Sequence, residues 1–160
     1  MKAIVTGGAG FIGSHLVDTL LSEDIHVTVL DNFSTGRAQN LDHVRNRIEL
    51  IECDLSIKSD WSSCFKDIDW VFHLAALADI VPSIENPATY FQSNVDATFN
   101  VLQASVAAKI KRFIYAASSS CYGIANIYPT PENAEIRLQY PYALTKYLGE
   151  ELVLHWAKVY

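Results

Sequence analysis

Cysteine is scarce in this chain of 160 residues, with only Cys53, Cys64 and Cys121 present. They are odd in number, widely spaced and never in a Cys-x-x-Cys arrangement. That argues against a disulfide framework, a zinc site or a redox pair, and fits reduced thiols in a cytoplasmic protein. Basic runs are lacking as well: 12 Lys and Arg stand against 18 Asp and Glu, a formal net charge of −6. Nothing there points to nucleic acid. An acidic surface does not draw anions, so any phosphate must be held by local geometry. No apolar stretch approaches the length of about 18 residues that a membrane-spanning helix needs. Lys2 leads directly into a strand-like run and a glycine-rich turn, so no targeting segment is expected.

What is present is a chain long and apolar enough, at 50% hydrophobic residues, for one domain with a sizeable core. Short β-branched runs alternate with longer helical ones. Lys2–Thr6, Ile25–Asp31, Arg47–Glu52, Asp69–Leu74 and Arg112–Ala117 read as strands. Phe11–Leu21 reads as a helix. So does Pro87–Lys109, where Tyr90, Phe91, Val95, Phe99, Leu102 and Val106 recur near helical spacing. Ser118–Tyr140 is a polar loop, and Pro141 opens a last helix that runs to Tyr160, proline being well tolerated at a first helical position. Such alternation predicts an α/β fold: a doubly wound parallel sheet of the Rossmann kind over residues 1–160.

The first strand runs into Thr6-Gly7-Gly8-Ala9-Gly10-Phe11-Ile12-Gly13. Gly8, Gly10 and Gly13 fit GxGxxG; Gly7, Gly10 and Gly13 fit GxxGxxG. In either frame glycine lets backbone N–H groups approach a pyrophosphate, and the helix opening at Phe11 and Ile12 turns its positive end toward that anion. Asp31 ends the second strand, where a carboxylate accepts hydrogen bonds from ribose hydroxyls and repels a 2′-phosphate. NAD is therefore expected over NADP, with Arg37 as the counter-argument. Asn32, Ser34, Thr35 and Gly36 follow in a polar loop placed to touch the cofactor.

Tyr142 and Lys146 stand at i and i+4 on the last helix and share a face. A phenol with a pKa near 10 is a poor base at neutral pH. A neighbouring ammonium and a positive nicotinamide ring favour its phenolate, giving a general base able to take a hydroxyl proton. Ser118, Ser119 and Ser120 follow the fifth strand, at the carboxyl end of the sheet where such folds bind ligands. Ser118 and Ser119 are the candidates for holding the substrate oxygen, and Ser120 for a substrate contact.

Taken together these segments resemble the extended short-chain dehydrogenase/reductase family of NAD-dependent sugar-nucleotide epimerases and dehydratases. The likeness runs through TGGAGFIG at 6–13, DNFSTG at 31–36, CDL at 53–55, HLAA at 73–76, SIENPATYFQSNVDAT at 83–98, SSSCYG at 118–123 and YPYALTK at 140–146. The resemblance implies that Asp54 and Leu55 meet the adenine and that Leu74, Ala75 and Ala76 line the dinucleotide. It also implies that Asn94 orders the active site beside the cofactor, that Tyr142 and Lys146 touch the cofactor, Lys146 holding the nicotinamide ribose, and that Ser83 faces the sugar nucleotide. The related 4,6-dehydratases carry an Asp-Glu pair where this chain has Ser119 and Ser120, and UDP-glucuronate decarboxylases tend to carry glutamate at Ser120. Serines alone support proton exchange on an alcohol but supply no carboxylate for elimination.

The expected activity is thus 4-epimerisation of a UDP-linked hexose or N-acetylhexosamine. Another dehydratase or reductase of the family and a non-catalytic NAD-binding regulator are the alternatives. The resemblance also implies a homodimer through helices 87–109 and 142–160. Two positions depart from the family pattern: Asp96 replaces a usual glycine, and Ala78 stands where many UDP-galactose epimerases have lysine. Family members continue past the last helix into further strands and a C-terminal substrate domain, so the chain is expected to stop before that domain.

Overall fold

In the computed structural model, which describes residues 1–160, five parallel strands are stacked in the order β3-β2-β1-β4-β5. They are β1 (Lys2–Thr6), β2 (His26–Asp31), β3 (Ile48–Glu52), β4 (Trp70–His73) and β5 (Arg112–Tyr115). Helix α1 (Phe11–Ser22) connects β1 to β2. Then α2 (Ile80–Glu85), α3 (Pro87–Phe91) and α4 (Ala97–Ala108) precede β5, and α5 (Pro141–Val159) follows it. Strand order reverses beside β1, which pairs with β2 on one side and β4 on the other. This is the switch point where doubly wound sheets open a crevice beyond their carboxyl ends.

Period-two alternation assigns the core. Ala3 and Val5 of β1, with Val27 and Val29 of β2, face α1 and pack on Val17, Leu20 and Leu21. Ile4 faces the other way, with Leu30 and Val71, onto Val101 and Ala104 of α4 and onto Trp61 and Phe65. A strand buried on both faces needs apolar residues at odd and even positions alike, and β1 has them.

The strands lie where the sequence predicts, each within two residues. The helix predicted over 87–109 is not continuous. Between α3 and α4 the backbone widens into a π-turn at Gln92–Asp96, and the N–H of Ala97 reaches back to the carbonyl of Gln92. Side chains account for the break. The Thr98 hydroxyl takes the Asn94 carbonyl (2.7 Å), and the Asn94 amide turns away to the Leu77 backbone. A competing hydroxyl and an inserted polar side chain are recognised causes of such bulges. The sequence reading also passes over α2, whose Ile80-Val81-Pro82 opening looks like loop. It misses the short 3₁₀ turns at Ala38–Val44, Asp60–Phe65 and Ser119–Tyr122 as well.

Candidate functional site

A cavity of about 340 Å³ opens beyond the carboxyl ends of the strands. Its floor is the β1–α1 turn, contributed by Gly7, Gly10, Phe11, Ile12 and Gly13. Gly7 has φ +69°, and a Cβ there would lie 2.7 Å from the Ala75 nitrogen. Gly13 lies directly on the Gly7 carbonyl, with no room for a side chain. Gly8 does not line the cavity and packs against Val29 instead, so the spacing the fold uses is GxxGxxG. Helix α1 has no side-chain cap at Gly10 and no acidic residue in its first turn. Its first N–H groups and the positive end of its dipole are free to meet an anion.

One wall is the loop after β2. Asp31 is buried, and each carboxylate oxygen accepts one backbone N–H: Oδ2 from Ala9 at 2.9 Å and Oδ1 from Phe33 at 2.8 Å. The aspartate therefore ties the glycine turn to this loop, and each oxygen keeps a lone pair for a further donor. Asn32, Ser34, Thr35 and Gly36 complete this wall. Cys53, Asp54 and Leu55 follow β3, held from α4 by the Asn100 amide, which donates to the carbonyls of Leu55 and Ser56 at 3.0 Å. The opposite wall is Leu74, Ala75, Ala76 and Leu77 after β4. Ser93 and Ala97 from the π-turn and α4, and Ala116 after β5, close the far end. Sequence reasoning did not single out Leu30, Cys53, Leu77, Ser93, Ala97 or Ala116. Ser93 falls within the 83–98 segment of the resemblance but had no role of its own there; it lines the cavity from the π-turn. No group of three or more His, Cys, Asp or Glu is arranged to hold a metal.

Ser118, Tyr142 and Lys146 do not line this cavity. They stand past its far end, where Ala116 leads on to Ser118. The Ser118 and Tyr142 hydroxyls are 3.3 Å apart, and Ser118 Oγ also lies 2.7 Å from Ser120 Oγ. Ser119 is exposed, so the strand-end serine that meets the phenol is Ser118. The Tyr142 ring is stacked parallel to Tyr140, with centroids 6.5 Å apart, and stands nearly perpendicular to the Tyr90 ring. Lys146 is 5% exposed, with Nζ 4.2 Å above the Tyr115 ring. Burial pulls its pKa down to about 8, and Glu150, one turn on, works the other way.

Two expected site residues lie elsewhere. Ser83 is fully buried and both roles of its hydroxyl are in use: it donates to Ile80 (2.6 Å) and accepts the Tyr142 N–H (3.1 Å). It does not line the cavity. Asn94 is also buried away from the cavity. Its amide bonds both backbone groups of Leu77 and the Thr145 hydroxyl, so it acts on the site through the Leu74–Leu77 wall and α5.

His73 heads the HLAA segment but carries no role in the sequence reading, where it is one polar residue in an apolar strand. It is buried, with Nδ1 2.7 Å from Thr6 Oγ1 and Nε2 2.9 Å from Thr98 Oγ1. The Asn94 carbonyl can only accept, so Thr98 donates to it and takes the proton of Nε2. Nδ1 then accepts from Thr6, whose oxygen accepts the Ala75 N–H. The chain of bonds links β1, the Ala75 wall and the π-turn. Burial holds the pKa of His73 down to about 3, with the charge of Lys146 adding to it.

The sequence profile of the NAD dependent epimerase/dehydratase family matches residues 3–160. The chain belongs to that family. Among its relatives, a putative UDP-glucose 4-epimerase of Methanocaldococcus jannaschii is 38% identical over 159 residues, covering 98% of this chain and 51% of that protein. A UDP-N-acetyl-alpha-D-glucosaminuronate decarboxylase of Bacillus cytotoxicus is 33% identical over 162 residues, 98% of this chain and 50% of that one. Among solved structures, the UDP-N-acetylglucosamine 4-epimerase of Methanobrevibacter ruminantium M1, in complex with UDP-N-acetylmuramic acid, superimposes with a TM-score of 0.93. It shares 38% identity over 99% of this chain and 51% of that one. The chain thus spans about half the length of the family members it matches. No helix in it is long and apolar enough to cross a membrane.

Proposed function

We propose that this chain carries the NAD site and the proton-transfer residues of a nucleotide-sugar 4-epimerase acting on a UDP-linked hexose or N-acetylhexosamine. The observation that carries this reading is the hydroxyl pair of Ser118 and Tyr142, 3.3 Å apart, with Ser118 two residues beyond Ala116 in the lining of a glycine-floored cavity. The cavity fits a dinucleotide. Gly7 and Gly13 leave a side-chain-free floor, and the uncapped N-terminus of α1 accepts the pyrophosphate. Asp31 and the 32–36 loop take the adenosine ribose; Asp54 and Leu55 take the adenine; Leu74, Ala75 and Ala76 lie along the molecule. Bound there, NAD supplies a reversible hydride acceptor.

The protein's own part is proton transfer and orientation. Tyr142 Oη, as phenolate, takes the proton from the sugar C4 hydroxyl and later returns it. Ser118 Oγ donates to the same oxygen and holds it beside the phenol. The Lys146 ammonium favours the phenolate by charge and reaches the nicotinamide ribose when the cofactor is seated. With serines at 118–120 and no carboxylate among them, the site is equipped to exchange a proton but not to eliminate water. The matched decarboxylase shows that the family hosts other reactions, and the serine row is what favours epimerisation here. The exposed apolar residues Phe91 of α3 and Leu144 and Leu154 of α5 support a homodimer through these helices. Three free thiols fit a cytoplasmic setting.

The test uses the full-length protein with UDP-galactose and UDP-N-acetylgalactosamine. The expected product is the 4-epimer with no net NADH. Tyr142→Phe should lower kcat by about 10³-fold while NAD stays bound. A 4-keto-6-deoxy product, net NADH, or near-normal turnover in Tyr142→Phe would overturn the reading.

A further inference from the structure

Helix α5 begins without a cap of its own. Its N-cap residue, Tyr140, makes no side-chain bond to the helix, and Pro141 has no N–H to offer. The first N–H that needs a partner belongs to Tyr142, and that partner comes from 59 residues earlier in the chain: Ser83 Oγ, at 3.1 Å. Ser83 is held in its turn, because its hydroxyl proton goes to Ile80 at 2.6 Å and none of its surface meets solvent.

The carbonyl of the same tyrosine is held from the other side. It accepts the Thr145 hydroxyl at 2.9 Å, and Thr145 Oγ1 accepts the Asn94 amide at 3.0 Å. Asn94 is fixed by two bonds to the Leu77 backbone, which lines the cavity. Both backbone groups of Tyr142 are therefore anchored to buried side chains that are themselves anchored.

The geometry points to Ser83 as a positioning residue: it seats the first turn of α5 so that the Tyr142 phenol meets Ser118 and the substrate oxygen, without itself touching substrate. This rests on the reading of Tyr142 as the general base. A phenol oxygen lies at the end of a long rigid side chain, so a small tilt of the helix start becomes a larger displacement at the reacting atom. A misplacement of about 1 Å at a reacting group costs on the order of 100-fold in rate. A residue that bound the sugar nucleotide would act differently, by weakening substrate affinity.

The experiment compares wild type, Ser83→Ala and Ser83→Thr in the full-length enzyme with its cofactor bound. For Ser83→Ala, kcat should fall roughly 10-fold to 100-fold. KM for the UDP-sugar should stay within about 2-fold and the kcat–pH midpoint should move upward, as the phenolate loses its aligned partners. Ser83→Thr keeps the hydroxyl and should recover most of kcat. Should the alanine variant not fold, Ser83→Cys, with a weaker acceptor of similar size, carries the same comparison. A raised KM with unchanged kcat, or no change at all, overturns the proposal. Amide hydrogen exchange at Tyr142 gives a readout without turnover: protection in wild type that is lost in Ser83→Ala shows the anchor directly. If that protection is present and epimerisation is absent in wild type, the activity assignment fails and the anchor stands. If Tyr142 exchanges freely in wild type, the anchor fails whatever the activity.

Discussion

At the residue scale, Lys146 is a side chain that its surroundings alter strongly. It sits over the Tyr115 ring with almost no solvent, and a cation moved from water to such a place loses hydration that one aromatic face restores only in part. At pH 7 it is still charged. In the unliganded chain its ammonium should lose its proton near pH 8 instead of near the usual 10.4, which side-chain NMR titration would show; a midpoint above 10 would contradict it. Because the charged form is the one that favours the phenolate, kcat of the full-length enzyme should fall as pH rises past the lysine's midpoint. The cysteines change in the opposite functional sense. Burial first, and then the carboxylates of Asp31 and Asp54, push the Cys53 thiol up to about 11, so its thiolate is scarce although it borders the cavity.

At the element scale, the β1–α1 turn and the π-turn do most of the placing. Gly7 is needed twice over, for its positive φ and for the closeness of the Ala75 backbone. Gly7→Ala should cost about 1–2 kcal/mol for the dihedral alone, more with the contact, and should weaken NAD binding strongly. Chemical denaturation and a cofactor titration measure the two effects. An unchanged midpoint would mean that the turn relaxes around the methyl group. The glycine pattern, the strand-end Asp31 and the i, i+4 pair of Tyr142 and Lys146 were legible in the sequence because each obeys a short-range spacing rule. The π-turn was not. It arises where Asn94 leaves the helix for the Leu77 backbone, a partner 17 residues away that no periodicity announces.

At the scale of the whole molecule, the His73 network joins β1, β4 and the π-turn through one neutral ring. The ring's folded-state pKa, about 3, lies below the usual 6.5. Between these values the unfolded chain binds a proton that the folded chain refuses, so lowering the pH through this range favours unfolding. Stability should fall by up to about 1.4 kcal/mol per pH unit below pH 6.5 from this group. Urea unfolding between pH 7 and pH 5 should show that slope, and His73→Gln should flatten it. An equal slope in the variant would place the effect on other groups.

Sequence alone determined the strand order's ingredients, the dinucleotide turn and the chemical types at the site, since these depend on periodicity and on neighbours within a turn or two. Only the tertiary structure decided which glycine frame faces the cavity, which serine meets the phenol, and that the Ser83 hydroxyl takes the backbone N–H of Tyr142. Those choices are made by hydrogen bonds between residues far apart in the chain, and a buried hydroxyl takes whichever unpaired donor the packing brings within reach.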